Sequence, residues 1–226
     1  MSETSPRVVA IDGPSGSGKS TVARGVAQAL DLPVLDTGAI YRSVTLAVLE
    51  SGVDPDDPKG CAEVAEQARV ELEDGSVALD GRDVSGPIRG PEVTAAVSAV
   101  SAHPRVREVL VARQRAWVYR HGGGVVEGRD IGTVVFPHAT LKVFVTASDE
   151  ERARRRRLDE EAAGREGAVE EVQVSMARRD ALDAGRTASP TAVADDAVVI
   201  DTTDRSVEEV VEEIVGRVQR AAAERA

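Results

Sequence analysis

Residues 8–21 read VVAIDGPSGSGKST, and this one stretch limits the folds open to the chain. Residues 8–12 form an apolar run without polar alternation, as in a strand buried on both faces. Glycines then break the run. Apolar Val22, Val26, Ala29 and Leu30 follow near helical spacing, which predicts a helix over 21–30. Between strand and helix, Gly13 to Ser20 fit G-x-x-x-x-G-K-[ST], a phosphate-binding loop. Its glycines let backbone N–H groups turn inward around a polyphosphate, and the new helix adds its positive end. The expected triphosphate site is therefore Gly13, Pro14, Ser15, Gly16, Ser17, Gly18, Lys19, Ser20 and Thr21, with Ser20 toward Mg²⁺. Only three of the 28 basic residues are lysines, so a lysine in this loop is a choice. A compact ammonium on a flexible stem can follow β and γ oxygens through transfer, where a planar guanidinium imposes fork geometry.

Further strands are expected over 33–36, 124–127, 141–146 and 197–201, and helices over 40–49 and 103–120. Ser148 with Glu151 and Ser206 with Glu209 match capping boxes, which mark helix starts. Residues 69–86 instead alternate apolar and polar residues around Asp74-Gly75 and Asp80-Gly81, a hairpin signal. The predicted fold class is α/β: a parallel sheet of the P-loop NTPase type with helices on both faces, a small inserted antiparallel β domain and a helical lid. The expected bounds are 7–61, 96–147 and 170–226 for the core, 62–95 for the insertion and 148–169 for the arginine-rich lid. Fraying is expected only in the first six residues and at the Ala-rich end.

Composition narrows the partners. A net charge of −11 disfavours duplex nucleic acid but not a small anion held by local arginines. Two Phe, two Tyr and one Trp leave little for base stacking along a strand, and Trp117 is expected to be core or half-buried packing. No apolar run nears the ~18 residues that span a bilayer, and MSETSPR lacks signal architecture, so a cytoplasmic protein is expected. The single Cys61 reads as a small apolar residue, and His103, His121 and His138 have no metal-ligand spacing. A base-reading N-K-x-D is impossible because the chain has no asparagine. Asp83-Val-Ser-Gly86 matches the short D-x-x-G pattern, but in the hairpin region rather than at a core strand end.

The arginines are unevenly placed. DTGAIYR ends at Arg42 and follows the second strand, and Gly128-Arg129-Asp130 follows another; such strand ends face the ligand crevice of open parallel sheets. Arg105, Arg107, Arg178, Arg179 and Arg186 add more. Beside a phosphate loop, they suggest a second phosphate-bearing substrate. Taken alone, the run 152–157 is equally accounted for by i,i+4 pairing with Glu150, Glu151, Glu160 and Glu161.

Together, IDGPSGSGKST, LDTGAIYR, GRDVSGPIR, PRVREVLVARQR, EGRDIGTVVFP and SDEERARRR resemble the bacterial cytidylate kinases nearly end to end. That resemblance implies a nucleoside monophosphate kinase taking ATP with Mg²⁺ and CMP or dCMP, with a β-rich insertion. It implies that Thr37, where a serine is often found, and Arg42 hold the acceptor phosphate with Arg129, and that Tyr41 walls the pocket. Ser98, Arg107 and Asp130 meet the cytosine; Arg179, Asp183 and Arg186 contact ribose and phosphates. Arg152, Arg155 and Arg156 lie in the lid segment. The catalytic set is then Lys19, Arg129, Arg155 and Arg156, in a monomer without nucleic-acid or membrane partners. Cytosine chemistry agrees, since a carboxylate accepts from N4–H₂ while an arginine donates to the ring acceptors. The alternatives are another small-molecule P-loop kinase acting on UMP, AMP or shikimate, or a nucleotide-dependent switch that phosphorylates no small molecule.

Overall fold

The computed structural model describes residues 6–73, 75–162, 164 and 169–223. The expected turn residue Asp74, residues 163 and 165–168 of the expected lid, and the terminal residues 1–5 and 224–226 lie outside them. In chain order the elements are β1 (Arg7–Asp12), α1 (Lys19–Leu30), β2 (Val34–Asp36), α2 (Thr37–Glu50), α3 (Pro58–Gln67), β3 (Val70–Glu73), β4 (Ser76–Leu79) and β5 (Arg82–Asp83). There follow α4 (Pro91–Ala102), α5 (Pro104–His121), β6 (Gly123–Gly128), β7 (Leu141–Thr146), α6 (Asp149–Ala162), α7 (Val169–Ala184), β8 (Val198–Asp201) and α8 (Val207–Ala223). The chain divides into two compact units, Met1–Val34 with Val118–Ala226, and Leu35–Trp117.

The first unit is built on the parallel sheet, in the order β2-β6-β1-β7-β8. Val9 lies opposite Val125 on one side and Leu141 on the other, and Phe144 lies opposite Val199. Val9, Ile11, Val125, Val143, Val145 and Ile200 form one apolar cluster with Val22 and Val26 of α1 and Val210, Ile214 and Val218 of α8. On the opposite face Val8 and Ala10 are buried as well. Both faces are covered, which is why β1 carries no polar alternation. Ala29, expected among the helix's apolar positions, is exposed. The apolar stripe of α1 runs through Val22, Ala23, Val26 and Ala27 instead.

The two serine–glutamate signatures have different outcomes. At α8 the box closes: the Glu209 amide donates to Ser206 Oγ at 3.2 Å and the Ser206 amide to Glu209 Oε2 at 2.9 Å. At α6 the Glu151 amide donates to Ser148 Oγ, but the Ser148 amide donates to Thr203 Oγ1 and Glu151 pairs with Arg154 and Arg155. Only half of that box forms.

In the second unit β3, β4 and β5 make the expected antiparallel sheet. Asp80 and Gly81, with φ of 50° and 80°, join β4 to β5 in the primed geometry that matches strand twist. The segment 62–95 begins inside α3 and ends inside α4. Helix α3 escapes a periodicity search because its buried positions are the small Cys61, Ala62 and Ala65. Helix α7 of the first unit escapes it because Val174 and Leu182 are exposed, while Met176 and the charged Asp183 are buried. Asp83 accepts from the amide and hydroxyl of Ser85, so the D-x-x-G match is a turn. Cys61 is fully buried, and burial followed by Asp57, Asp54 and Asp56 raises its thiol pKa. Trp117 is half-buried, and His103 Nε2 meets the Pro55 carbonyl at 2.8 Å. Among the described residues no helix is long and apolar enough to cross a membrane.

Ile214→Ala removes a fully buried side chain from the α8 seam and is expected to cost about 2–5 kcal/mol in urea unfolding. Ser206→Ala opens the one complete box and should cost about 1 kcal/mol in the same measurement.

Candidate active site

The loop between β1 and α1 owes its path to glycine. Gly16 and Gly18 have φ of +74° and +88°, and Gly18 is the N-cap of α1. A Cβ on Gly16 would stand 2.7 Å from the Arg152 carbonyl oxygen and 2.8 Å from Met176 Cε. Inside this turn Lys19 is buried, and its Nζ donates to the Pro14 carbonyl at 2.6 Å, where Ser17 Oγ also donates at 3.1 Å. Burial, with Arg129 and Arg179 nearby, brings the Lys19 ammonium down to about 7, with Glu127 and Asp180 opposing. Ser20 Oγ donates to Glu127 Oε2 at 2.9 Å. Thr21 is exposed at the first turn.

Two buried carboxylates stand at neighbouring strand ends. Glu127 of β6 lies opposite Ile11, and Asp12 ends β1. Asp12 accepts from the amides of Ile131 and Gly132 at 2.8 and 2.7 Å, fastening the turn that follows Arg129 and Asp130. Burial raises the Asp12 carboxyl to about 6 despite those two hydrogen bonds. Sequence reasoning passed over Glu127 and Asp12. The available signal was an acid at the end of an apolar strand, where solvent cannot account for it.

Around Asp183 the structure gathers three expected arginines of the first unit. Arg129 Nε donates to Asp183 Oδ2 at 3.0 Å, and Arg179 and Arg186 lie 4.0 and 3.9 Å from its carboxylate. Burial alone would raise the Asp183 pKa, but Arg129, Arg179 and Arg186 outweigh it and hold it below the usual range. Arg179, buried next to Arg129, falls to about 10. Arg129 Nη1 also donates to the Gly13 carbonyl at 2.7 Å, which ties the cluster to the phosphate loop. Asp130 is buried beside it.

The arginines of α6 separate by function. Arg155 donates to Thr202 Oγ1 at 2.9 Å, to the Thr202 carbonyl at 2.7 Å and to Glu151 at 2.7 Å. It lines a cavity of about 460 Å³ beside the loop, with Ser17, Gly18, Thr21, Thr202 and Arg205. Arg156 is half-buried and adds to the positive field at Arg179. Arg154 forks onto Glu151, and Arg157 lies 3.5 Å from Glu161, which is the surface pairing the run also suggested.

In the second unit Thr37 opens α2, after Asp36 caps the helix through the Ala39 amide at 2.9 Å. Buried Arg42 donates to the Ile88 carbonyl and to Thr94 Oγ1, both at 3.0 Å. Arg107 lies over the Tyr41 ring, 5.3 Å from its centroid, and donates to the Ser101 carbonyl. Ser98 is buried on α4.

A glycine loop around a buried ammonium, a hydroxyl–carboxylate pair and a guanidinium cluster on one parallel sheet define a P-loop phosphotransferase. The cytidylate kinase family model matches residues 9–220. The chain belongs to the cytidylate kinase family. It is 51% identical to the cytidylate kinase of Mycolicibacterium paratuberculosis over 92% of each chain. It is 48% identical to that of Limosilactobacillus reuteri over 91% of this chain and 92% of the other. A gluconokinase structure from Sinorhizobium meliloti shares the fold, with a TM-score of 0.51 and 15% identity over 98% of this chain and 96% of that one.

Burial and the neighbouring arginines disfavour the charged form of Lys19, so a polyphosphate placed against it is expected to favour the ammonium and draw in a proton. ADP binding should take up more protons at pH 8, where the unliganded lysine is less protonated, than at pH 6. Calorimetry in buffers of different ionisation enthalpy measures this, and Lys19→Ala should abolish the uptake.

Proposed function

We propose that the protein transfers the γ-phosphoryl group of ATP to CMP or dCMP, giving ADP and CDP or dCDP. The observation that carries this reading is the Arg129 guanidinium, which joins the Asp183-centred arginine cluster to the Gly13 carbonyl of the phosphate loop. An enzyme that only hydrolysed ATP has no need of three further arginines gathered at its donor loop. Family membership and the cytidylate kinase names of the relatives support the same acceptor.

In this reading Gly13 to Thr21 bind the ATP phosphates, and the cavity bounded by Arg155 and Thr202 takes the nucleoside end. Ser20 and Glu127 would hold Mg²⁺ through their hard oxygens. When bound, it neutralises charge on the transferring group. Thr37, Arg42 and Arg129 hold the acceptor phosphate, and Arg179, Asp183 and Arg186 meet ribose and phosphates. Tyr41, held against Arg107, walls the base, while Ser98, Arg107 and Asp130 read it. Residues 62–95 act as the acceptor-binding insertion and 148–169 as the lid on a core of 7–61, 96–147 and 170–226, in a cytoplasmic monomer.

The acceptor phosphate has its second pKa near ~6, so it is mostly dianionic at neutral pH and no general base is needed. The barrier lies in bringing two polyanions into line. Lys19 follows the migrating charge, and Arg129, Arg155 and Arg156 spread it. Closure of the lid when both nucleotides are present keeps water from the γ-phosphate.

Lys19→Ala, folded normally by circular dichroism, should lower CDP synthesis about 100- to 1,000-fold in a coupled ADP-release assay. Across CMP, dCMP, UMP, AMP and shikimate, kcat/KM should favour CMP over UMP by about 100-fold or more, because uracil O4 meets the Asp130 carboxylate. Asp130→Asn should narrow that ratio to about tenfold or less, since an amide can donate to O4; an unchanged ratio removes Asp130 from base reading. ATP hydrolysis without acceptor should stay far below the kinase rate, and equal rates would remove the gating.

A further inference from the structure

Arg152 and Asp180 have no task in this reaction, yet both reach the phosphate loop. The Ser15 amide donates to Asp180 Oδ1 at 3.1 Å, and Arg152 Nη1 donates to the Ser15 carbonyl at 2.9 Å. The same Nη1 also donates to Asp180 Oδ2, and Nη2 donates to Asp149 Oδ1 at 2.7 Å. One loop residue is thus gripped at both its N–H and its C=O, by side chains from α6 and α7. The contact is close-packed as well, since the Arg152 carbonyl and Met176 Cε leave no room for a methyl group on Gly16.

We infer that Arg152 and Asp180 are positioning residues that latch helices α6 and α7 to the phosphate loop and hold its backbone in the form that accepts ATP. The inference rests on the loop being the ATP site. Neither residue touches the nucleotide in this scheme. Arg152 has its two terminal nitrogens committed to Ser15, Asp180 and Asp149 and does not line the cavity, whereas Arg155 does.

Exposure argues that the pair matters. The Arg152 side chain is 10% exposed and that of Asp180 20%, so neither charge is solvated well enough to do without its partner. A desolvated, hydrogen-bonded charge pair is costly to break from one side because the remaining charge is stranded. A glycine-rich loop has many competing backbone states, and ordering it opposes phosphate binding unless something has already fixed it. The latch fixes the peptide groups on either side of Ser15. It also makes loop order depend on the packing of α6 and α7, since one bond to Ser15 comes from each helix.

The test uses the full chain with Asp180→Asn, Arg152→Lys and the alanine variants singly and together. KM is measured for ATP and for CMP, the ADP dissociation constant by calorimetry, and the unfolding midpoint by circular dichroism. Asp180→Asn and Arg152→Lys should each raise the ATP KM and the ADP dissociation constant about tenfold while the CMP KM changes less than about twofold. The double alanine variant should lose less ADP affinity than the product of the single losses, as expected for two residues acting through one contact. An unchanged ATP KM, equal rises in both KM values, or multiplicative losses would overturn the latch. Lys19→Ala separates the two readings. If it abolishes ADP binding while the latch variants bind normally, only the latch fails; if it binds ADP normally, the donor-site reading fails and the latch with it.

Discussion

A buried ammonium inside a turn of glycines is the constraint around which the first unit is organised. Taking Lys19 out of water is unfavourable, and burial with the neighbouring arginines pulls its pKa well below the ordinary lysine range. The Pro14 carbonyl and the Glu127 carboxylate compensate part of this, while Arg129 and Arg179 add to the strain. In the proposed reading a polyphosphate would relieve all three cations at once, which is how a chain of net charge −11 could select a polyanion there.

The neighbouring carboxylates give this cationic centre its geometry. Asp183 stands among Arg129, Arg179 and Arg186 and keeps mutually repelling guanidiniums in one cluster. Asp12 holds the backbone after Asp130, and Glu127 holds the Ser20 hydroxyl. Each acid is buried, and each is either hydrogen-bonded to the main chain or paired with a donor, as a desolvated charge requires. Because Asp12 and Glu127 lie at the ends of adjacent parallel strands, the register of β1 with β6 brings them to the same edge of the sheet.

Much of the architecture could be read in advance, for identifiable reasons. An unalternating apolar run marked β1, since a strand covered on both faces has no solvent side to advertise. Asp80-Gly81 marked the hairpin because both positions require positive φ. Helix α3 escaped because its buried positions are cysteine and alanine, and α7 because Val174 and Leu182 are exposed while Met176 and Asp183 are buried. Ser148 and Ser206 carry the same signature, yet only Ser206 closes its box, because Thr203 and two arginines compete at the other site.

What the residues alone determined was the phosphate loop, and with it a parallel α/β sheet and a nucleotide as ligand. That motif is local, with strand, turn and helix set by backbone preferences over fourteen consecutive residues. Tertiary structure alone decided which of the five arginines between positions 152 and 157 does what. Arg152 lies buried on Ser15, Arg155 walls a cavity, and Arg154 pairs at the surface with Glu151. In sequence these are neighbouring arginines; their different surroundings come from a helical turn of about 100° per residue and from partners such as Asp180 and Thr202, far along the chain.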